Sequence, residues 1–431
     1  MTPVPVGSGI DEGKTTEQLF DERAKRVDDA IHLREPDRIP VFLPFGNLLA
    51  KLGGLTQQEL YEDPRKGHAA LEKATLRYQP DISNGVFQTS GASRVLGDCM
   101  TKWPGCELSA NSPFQFLEGE YLKADEYDAF LADPTDWAIR VYLPRVFREL
   151  GGLANLPHLA MSLWGYYGMS SYVSDLALPQ VVSAFQALAR AGEMQMEWNM
   201  QLGRSIQRMA ALGFPPAPFG NGGTMAAPFD FMGDTLRGMR GIFTDMRRYP
   251  EKLLQAEEWV GRMHTQNAIA RCKATGADSV AIPLHRGSDG FISLPMFERF
   301  YWPQFKKMLL ELIDAGIMPF ILWEGTWDQR LQYLADLPKG KILGWFQQSD
   351  IFKVKEALGD VMCIMGGMPV SMLFGSSPEQ VREYTERLCK EVGKGGGFIM
   401  CTDISEMEGC DPELVQVWLD ATREFGRYEK R

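Results

Sequence analysis

Three polar residues stand where short apolar runs end, and their types suit proton transfer or metal binding. His285 follows residues 278–284 (DSVAIPL), Glu324 follows residues 318–323 (MPFILW), and Asp403 lies just past residues 397–401 (GFIMC). A carboxylate at the mouth of an otherwise apolar tube is a candidate general acid, general base or metal ligand, and Glu324 is the first choice. A histidine before the polar loop Arg286, Gly287, Ser288, Asp289, Gly290 can ligate a metal, donate a proton or anchor a substrate. Asp403 is the natural second carboxylate. The competing readings are a histidine satisfied by a backbone carbonyl and carboxylates held in salt-bridged turns.

Other residue types add to this set. Cys401 is either a thiolate ligand or a buried strand residue. Gln347, after residues 341–346 (KILGWF), can orient a polar substrate atom. Trp164, Tyr166 and Tyr167, with Trp327 and Trp345, are candidate walls for a flat ligand, each weighed against ordinary core packing. The glycine-rich stretches at 219–225 and 393–398 lack both the GxGxxG order and the Lys-Ser/Thr of a phosphate loop, so they read as turns or loops.

The elements that must position these residues are clearest in the second half. Five apolar runs, at 278–284, 318–323, 341–346, 361–365 and 397–401, alternate with amphipathic stretches, the pattern of repeated βα units and a parallel sheet. Between the first two, Phe297, Tyr301, Phe305, Met308, Leu309 and Leu312 follow helical spacing and Gly316 supplies a stop. Between the last two, Ser377 is an N-cap with Pro378 at the first helical position. Helices are expected over 178–212 and 249–274. The first half offers strands at 39–43 and 158–164 and a shorter one near 82–87. That makes about eight strands, and periodicity alone does not choose between an open sheet and a closed barrel.

The chain has 431 residues, 45% hydrophobic and 23% charged, enough for one large domain. A net charge of −11 argues against nucleic acid and anionic membrane partners and leaves a small molecule as the expected ligand. Seven cysteines without a CxxC pair read as reduced thiols of a cytoplasmic protein. Neither an export signal nor an 18-residue apolar span is expected, and residues 1–15 read as a flexible tail. The 22 Met, 24 Phe and 10 Trp suit an irregular pocket for an apolar or aromatic ligand.

Five segments in order, EPDRIPVF (35–42), YQPD (78–81), GDTLRGMRGIFTDMRRYPEKL (233–253), ILWEGTWDQRLQYL (321–334) and GKGGGFIMCTD (393–403), resemble the uroporphyrinogen decarboxylase superfamily. The resemblance covers most of the chain. It implies an α/β fold, a (β/α)8 TIM barrel with an N-terminal helical extension over residues 16–431, chemistry at the strand ends, and a possible homodimer. The decarboxylase holds a many-carboxylate tetrapyrrole through an arginine-rich stretch after the first strand; residues 44–54 (PFGNLLAKLGG) contain none, and Asp81 is the remaining match. The methyltransferase branch binds zinc through a His-x-Cys pair and a later cysteine. Here the pair reads Leu322, Trp323, Glu324, Cys401 falls about three residues early, and Trp345 stands where some relatives place a histidine. A zinc ion would draw on Glu324, His285 and Cys401. The leading expectation is a methyltransferase closer to the corrinoid-dependent members, moving a methyl group from a small apolar or aromatic donor, methoxylated or of methylamine type, to a corrinoid protein. The alternative is a metal-independent lyase, a decarboxylase or hydro-lyase, using a carboxylate/His acid-base pair in an apolar pocket.

Overall fold

The computed structural model describes residues 13–85 and 89–429. A short antiparallel ribbon, β1 (Thr101–Lys102) with β2 (Gln115–Phe116), stands apart from a parallel sheet. That sheet runs β3 (Ser279–Leu284), β4 (Met318–Trp323), β5 (Leu343–Phe346), β6 (Cys363–Met368) and β7 (Phe398–Thr402) in sequence order. All five apolar runs are strands. They carry apolar residues on both faces because both faces are buried. Between β3 and β4, the helix Trp302–Asp314 buries Phe305, Met308, Leu309 and Leu312 against the outer face, and Gly316, at φ +77°, turns the chain into β4. Ser377 caps Pro378–Arg387 with a reciprocal capping box. The helices expected at 178–212 and 249–274 are Pro179–Ala211 and Pro250–Thr275.

Beyond the ladder, single parallel bridges join Val41 to Met400, Phe42 to Ile82, Ser83 to Pro216 and Thr224 to Ala281. These bridges set the segments at 41–42, 82–83 and 216–224 beside the sheet, with Val41 bridged to β7 and Thr224 to β3. The segments form bridges rather than ladders because Pro40, Pro44, Pro215, Pro216 and Pro218 have no amide to donate. Residues 86–88, the end of the strand expected near 82–87, lie outside the described residues, as do residues 1–12 of the expected tail.

The buried apolar residues form two main layers. Val280, Ile282, Ile321, Trp323, Ile364 and Met400 point outward to the helices. Phe42, Ile82, Phe320, Leu322, Trp345, Met365 and Cys401 belong to a separate inner cluster. The first helix, α1 (Thr16–Ile31), inserts Val27, Ala30 and Ile31 into that inner cluster beside Leu343, Cys363 and Ile399, at the N-terminal ends of the strands. Asp81 ties this end together. It accepts from Arg26 Nη1 at 2.5 Å, from Arg38 Nη1 and Nη2 at 2.8 and 2.7 Å, and from the Val41 amide at 2.7 Å. Asp81 is therefore a structural anchor at the end opposite the strand C-termini.

One strand expectation is overturned. Residues 159–164 form 3-10 turns, opened by His158 Nδ1 accepting from the Ala160 amide. The run has no neighbouring strand to pair with, so its apolar pattern leads to a helical excursion instead.

Candidate active site

Side chains alternate along a strand, so the inward column of β4, Met318, Phe320 and Leu322, continues one step past the strand end to Glu324. On β5 the column Leu343, Trp345 continues to Gln347. His285 follows β3 directly. The three expected residues meet around one cavity of about 580 Å3, shared with Glu118, Asp234, Arg286, Ser288 and Gln348.

His285 is the hub. Its Nδ1 lies 2.5 Å from Asp234 Oδ2, and its Nε2 is 3.5 Å from Glu324 Oε1. Burial pulls the imidazole toward neutrality, but hydrogen bonds to Asp234 and Glu324 outweigh it and push its pKa up to about 10. Arg286 Nε holds the other Asp234 oxygen at 2.5 Å, while its Nη2 stands 3.5 Å from Glu118. Gln347 Oε1 accepts from the Gly325 amide at 2.8 Å, which turns its NH2 toward the cavity.

The residues that hold this hub were not legible from the sequence. Asp230, on the short helix Pro228–Phe231, is fully buried. It accepts from the backbone amides of His285 and Arg286 at 3.2 and 2.8 Å and from Tyr301 Oη at 2.7 Å. Burial and the neighbouring Asp234 charge raise its pKa to about 6, against the pull of His285 and Tyr301. Behind it, Glu257 is fully buried with both carboxyl oxygens unpartnered, and burial, reinforced by Asp230, pushes its pKa well up. Two glycines make the packing possible. A Cβ on Gly233 would sit 2.6 Å from Arg286 Cδ, and one on Gly287 would sit 2.5 Å from both Trp327 and Tyr301.

The remaining expected residues go elsewhere. Asp403 accepts from the Val370 amide at 2.9 Å and organises the loop after β6. Trp327 is fully buried against Trp323 and Tyr301 and donates to the Glu324 carbonyl at 2.8 Å, so it supports the loop rather than walling a ligand. Trp164 and Tyr166 are 70% and 80% exposed on the helical excursion and do not line the His285 cavity. Trp345 does line a cavity. With Phe42, Phe219 and Phe320 it walls a space of about 590 Å3 that reaches Asn47, Asn84 and Glu406 at the strand C-terminal ends. Its ring stacks on Phe320 at 6.3 Å, fixed by a 2.8 Å bond from Nε1 to the Thr402 carbonyl.

These donors do not fit zinc. Cys401, the expected thiolate, is buried in the inner cluster with its thiol pKa pushed up by burial, which disfavours a thiolate. Among the described residues no three His, Cys, Asp or Glu side chains are grouped to hold a metal ion, and no helix is long and apolar enough to cross a membrane.

Comparison with known proteins places this site in a family. The chain is 22% identical over 237 residues to a uroporphyrinogen decarboxylase of Chromohalobacter salexigens, a match spanning 54% of this chain and 65% of that protein. Its fold is similar to that of a methyltransferase from Methanosarcina mazei, with a TM-score of 0.58 at 14% identity over 94% of this chain and 98% of the other. The uroporphyrinogen decarboxylase (URO-D) family model matches residues 210–425, from just before the third bridging segment to the end of the last helix, and the chain belongs to that family.

Proposed function

We propose that this protein is a cytoplasmic methyltransferase, a (β/α)8 barrel whose ring is completed by the single bridges beside β3 and β7. It moves a methyl group from a small aryl methyl ether to a reduced corrinoid carried by a partner protein. The observation that carries the reading is the His285 imidazolium, clamped between Asp234 and Glu324 at the strand ends, in a protein that also has a separate aromatic-walled cavity. When an aryl ether gives up its methyl group, a phenolate leaves, and a phenol has a pKa of about 10. A proton donor whose own pKa is about 10 is matched to that oxygen. In this scheme His285 protonates the leaving oxygen, Glu324 and Asp234 keep it charged, and Gln347 orients the ether. Phe42, Phe219, Phe320 and Trp345 hold the ring. The missing arginines in residues 44–54 speak against a tetrapyrrole with many carboxylates.

The test is methyl transfer from aryl methyl ethers and methylamines to a reduced corrinoid carrier, read as methyl-corrinoid absorbance and free phenol or amine. Phenol release that needs the carrier supports the reading. Failure with every donor, together with carbon dioxide release or dehydration from a related acid or alcohol, would replace it with the metal-independent lyase.

A further inference from the structure

We propose that the aromatic cavity selects uncharged aryl ethers, receives a hydroxyl on their ring through Asn47 and excludes a ring carboxylate. The inference rests on the aryl-ether reading above and narrows its substrate class. The walls are apolar, with Phe42, Phe219, Phe320 and Trp345 in edge, tilted and stacked contacts at 4.7–6.3 Å. Among the described residues no Lys, Arg or His lines the cavity, and Glu406 is its one charged side chain. Lys51, one helical turn beyond Asn47, bonds instead to the Cys410 carbonyl at 3.2 Å and takes no part in the lining. An ionised carboxylate drawn into this space would lose its water, meet no cation and face Glu406.

Asn47 supplies the polar contact. It is 6% exposed; its Oδ1 accepts from Tyr61 Oη at 2.6 Å, and its backbone carbonyl accepts from Gln57 Nε2 at 3.0 Å. Burial pushes the Tyr61 phenol up to about 12, so Tyr61 keeps its proton and remains the donor in that bond. Asn47 Nδ2 is then a neutral donor without a partner among the described residues, on a side chain that lines the cavity. Glu406 stands at the same rim. Gly46 packs so closely on the Ser405 carbonyl that a Cβ there would lie 2.5 Å from it. Glu406 Oε2 accepts from Ser405 Oγ at 2.6 Å, which leaves Oε1 to accept from a ligand. A ring hydroxyl at this rim offers a lone pair to Asn47 and a proton to Glu406, whereas a carboxylate has no proton to give.

Isothermal titration of the full chain near neutral pH, without corrinoid or turnover, tests this with three probes of similar shape: para-methoxyphenol, para-methoxybenzamide and para-methoxybenzoate. At that pH a carboxyl group of pKa about 4 is ionised and a phenol of pKa about 10 is not. The phenol and the amide should bind about tenfold or more tightly than the benzoate. Glu406→Lys, at an exposed position, should narrow the gap between amide and benzoate by about tenfold. Ala281→Leu, which puts a larger side chain into the cavity from β3, should weaken binding of the phenol and the amide. A benzoate bound as tightly as the amide, a gap unchanged by Glu406→Lys, binding indifferent to Ala281→Leu, or no binding by any probe overturns the proposal. A protein that shows the expected selectivity yet transfers no methyl group would sink the methyl-transfer reading and leave the selectivity standing.

Discussion

His285 carries a charge at neutral pH only because two carboxylates flank it, so its chemistry and its titration are linked. Its folded pKa of about 10 lies above the ordinary 6.5, so its ion pairing is fully present below pH 6.5 and is lost as pH rises through 10. If the imidazolium is the acid, kcat/KM should fall on the alkaline side near pH 10. Glu324→Gln removes one of the two holding charges and should move that limb to lower pH. His285→Gln should lower kcat by about 10²–10⁴-fold, the usual contribution of a general acid. Alkaline limbs that coincide in the wild type and Glu324→Gln would remove His285 from the role. Asp230 titrates with the opposite charge but the same sign of effect on stability. Its pKa is raised from 3.8 to about 6, so the folded state binds the extra proton, and this contribution fades as pH rises from 4 to 6, by about 3 kcal/mol in all. Asp230→Asn does not titrate. Urea unfolding should therefore show the stability difference moving toward the variant by about that amount between pH 4 and pH 7; an unchanged difference would show that Asp230 is ionised throughout.

At the scale of elements, α1 is held to the sheet by charge as well as by packing. Asp81 neutralises Arg26 and Arg38, whose side chains are both almost wholly buried. Removing it strands the buried Arg38, while Arg26 keeps its paired bonds to Asp37 at 2.7 and 2.6 Å, so Asp81→Ala should cost about 3–5 kcal/mol in thermal or urea unfolding. A loss below 1 kcal/mol would mean that water reaches the arginines. The sequence was informative where local pattern decides structure: the five apolar runs became β3 to β7, and stepping past their ends led to His285, Glu324 and Gln347. It was uninformative where the outcome depends on what faces what. Asp403 is placed like Glu324 at a strand end, yet its carboxylate is taken by the Val370 amide. Asp230 and Asp234 are visible in the sequence only as two acids four apart, and their meeting with His285 depends on packing across more than fifty residues. The run at 158–164 has strand-like composition, but pairing needs a neighbour and it has none.

Across the whole molecule the same physics makes the two halves unequal in legibility and in stability. In the second half each central strand has a hydrogen-bonded neighbour on both sides. In the first half, prolines remove the donors that would extend the pairing, so the segments around Val41, Ile82 and Pro216 hang on a few bonds. These include Phe42 N to the Met400 carbonyl at 2.9 Å, Asp81 N to the Val41 carbonyl at 2.9 Å and Ser83 N to the Pro215 carbonyl at 3.0 Å. Short, proline-broken strands are hard to recognise in a sequence, and they also open more easily, because local opening breaks few bonds. Native-state hydrogen exchange should therefore resolve two units. Amides of β4 and β5 should exchange only through global unfolding, with full denaturant sensitivity. Those of Phe42, Asp81 and Ser83 should exchange earlier through a smaller opening. Phe42 and Phe219, both in these segments, wall the aromatic cavity. A bound aryl ether should raise protection at Phe42 and Ser83 more than in β4. Equal exchange in β4, β5 and these segments, unaltered by ligand, would instead make them one cooperative unit and place ligand entry elsewhere.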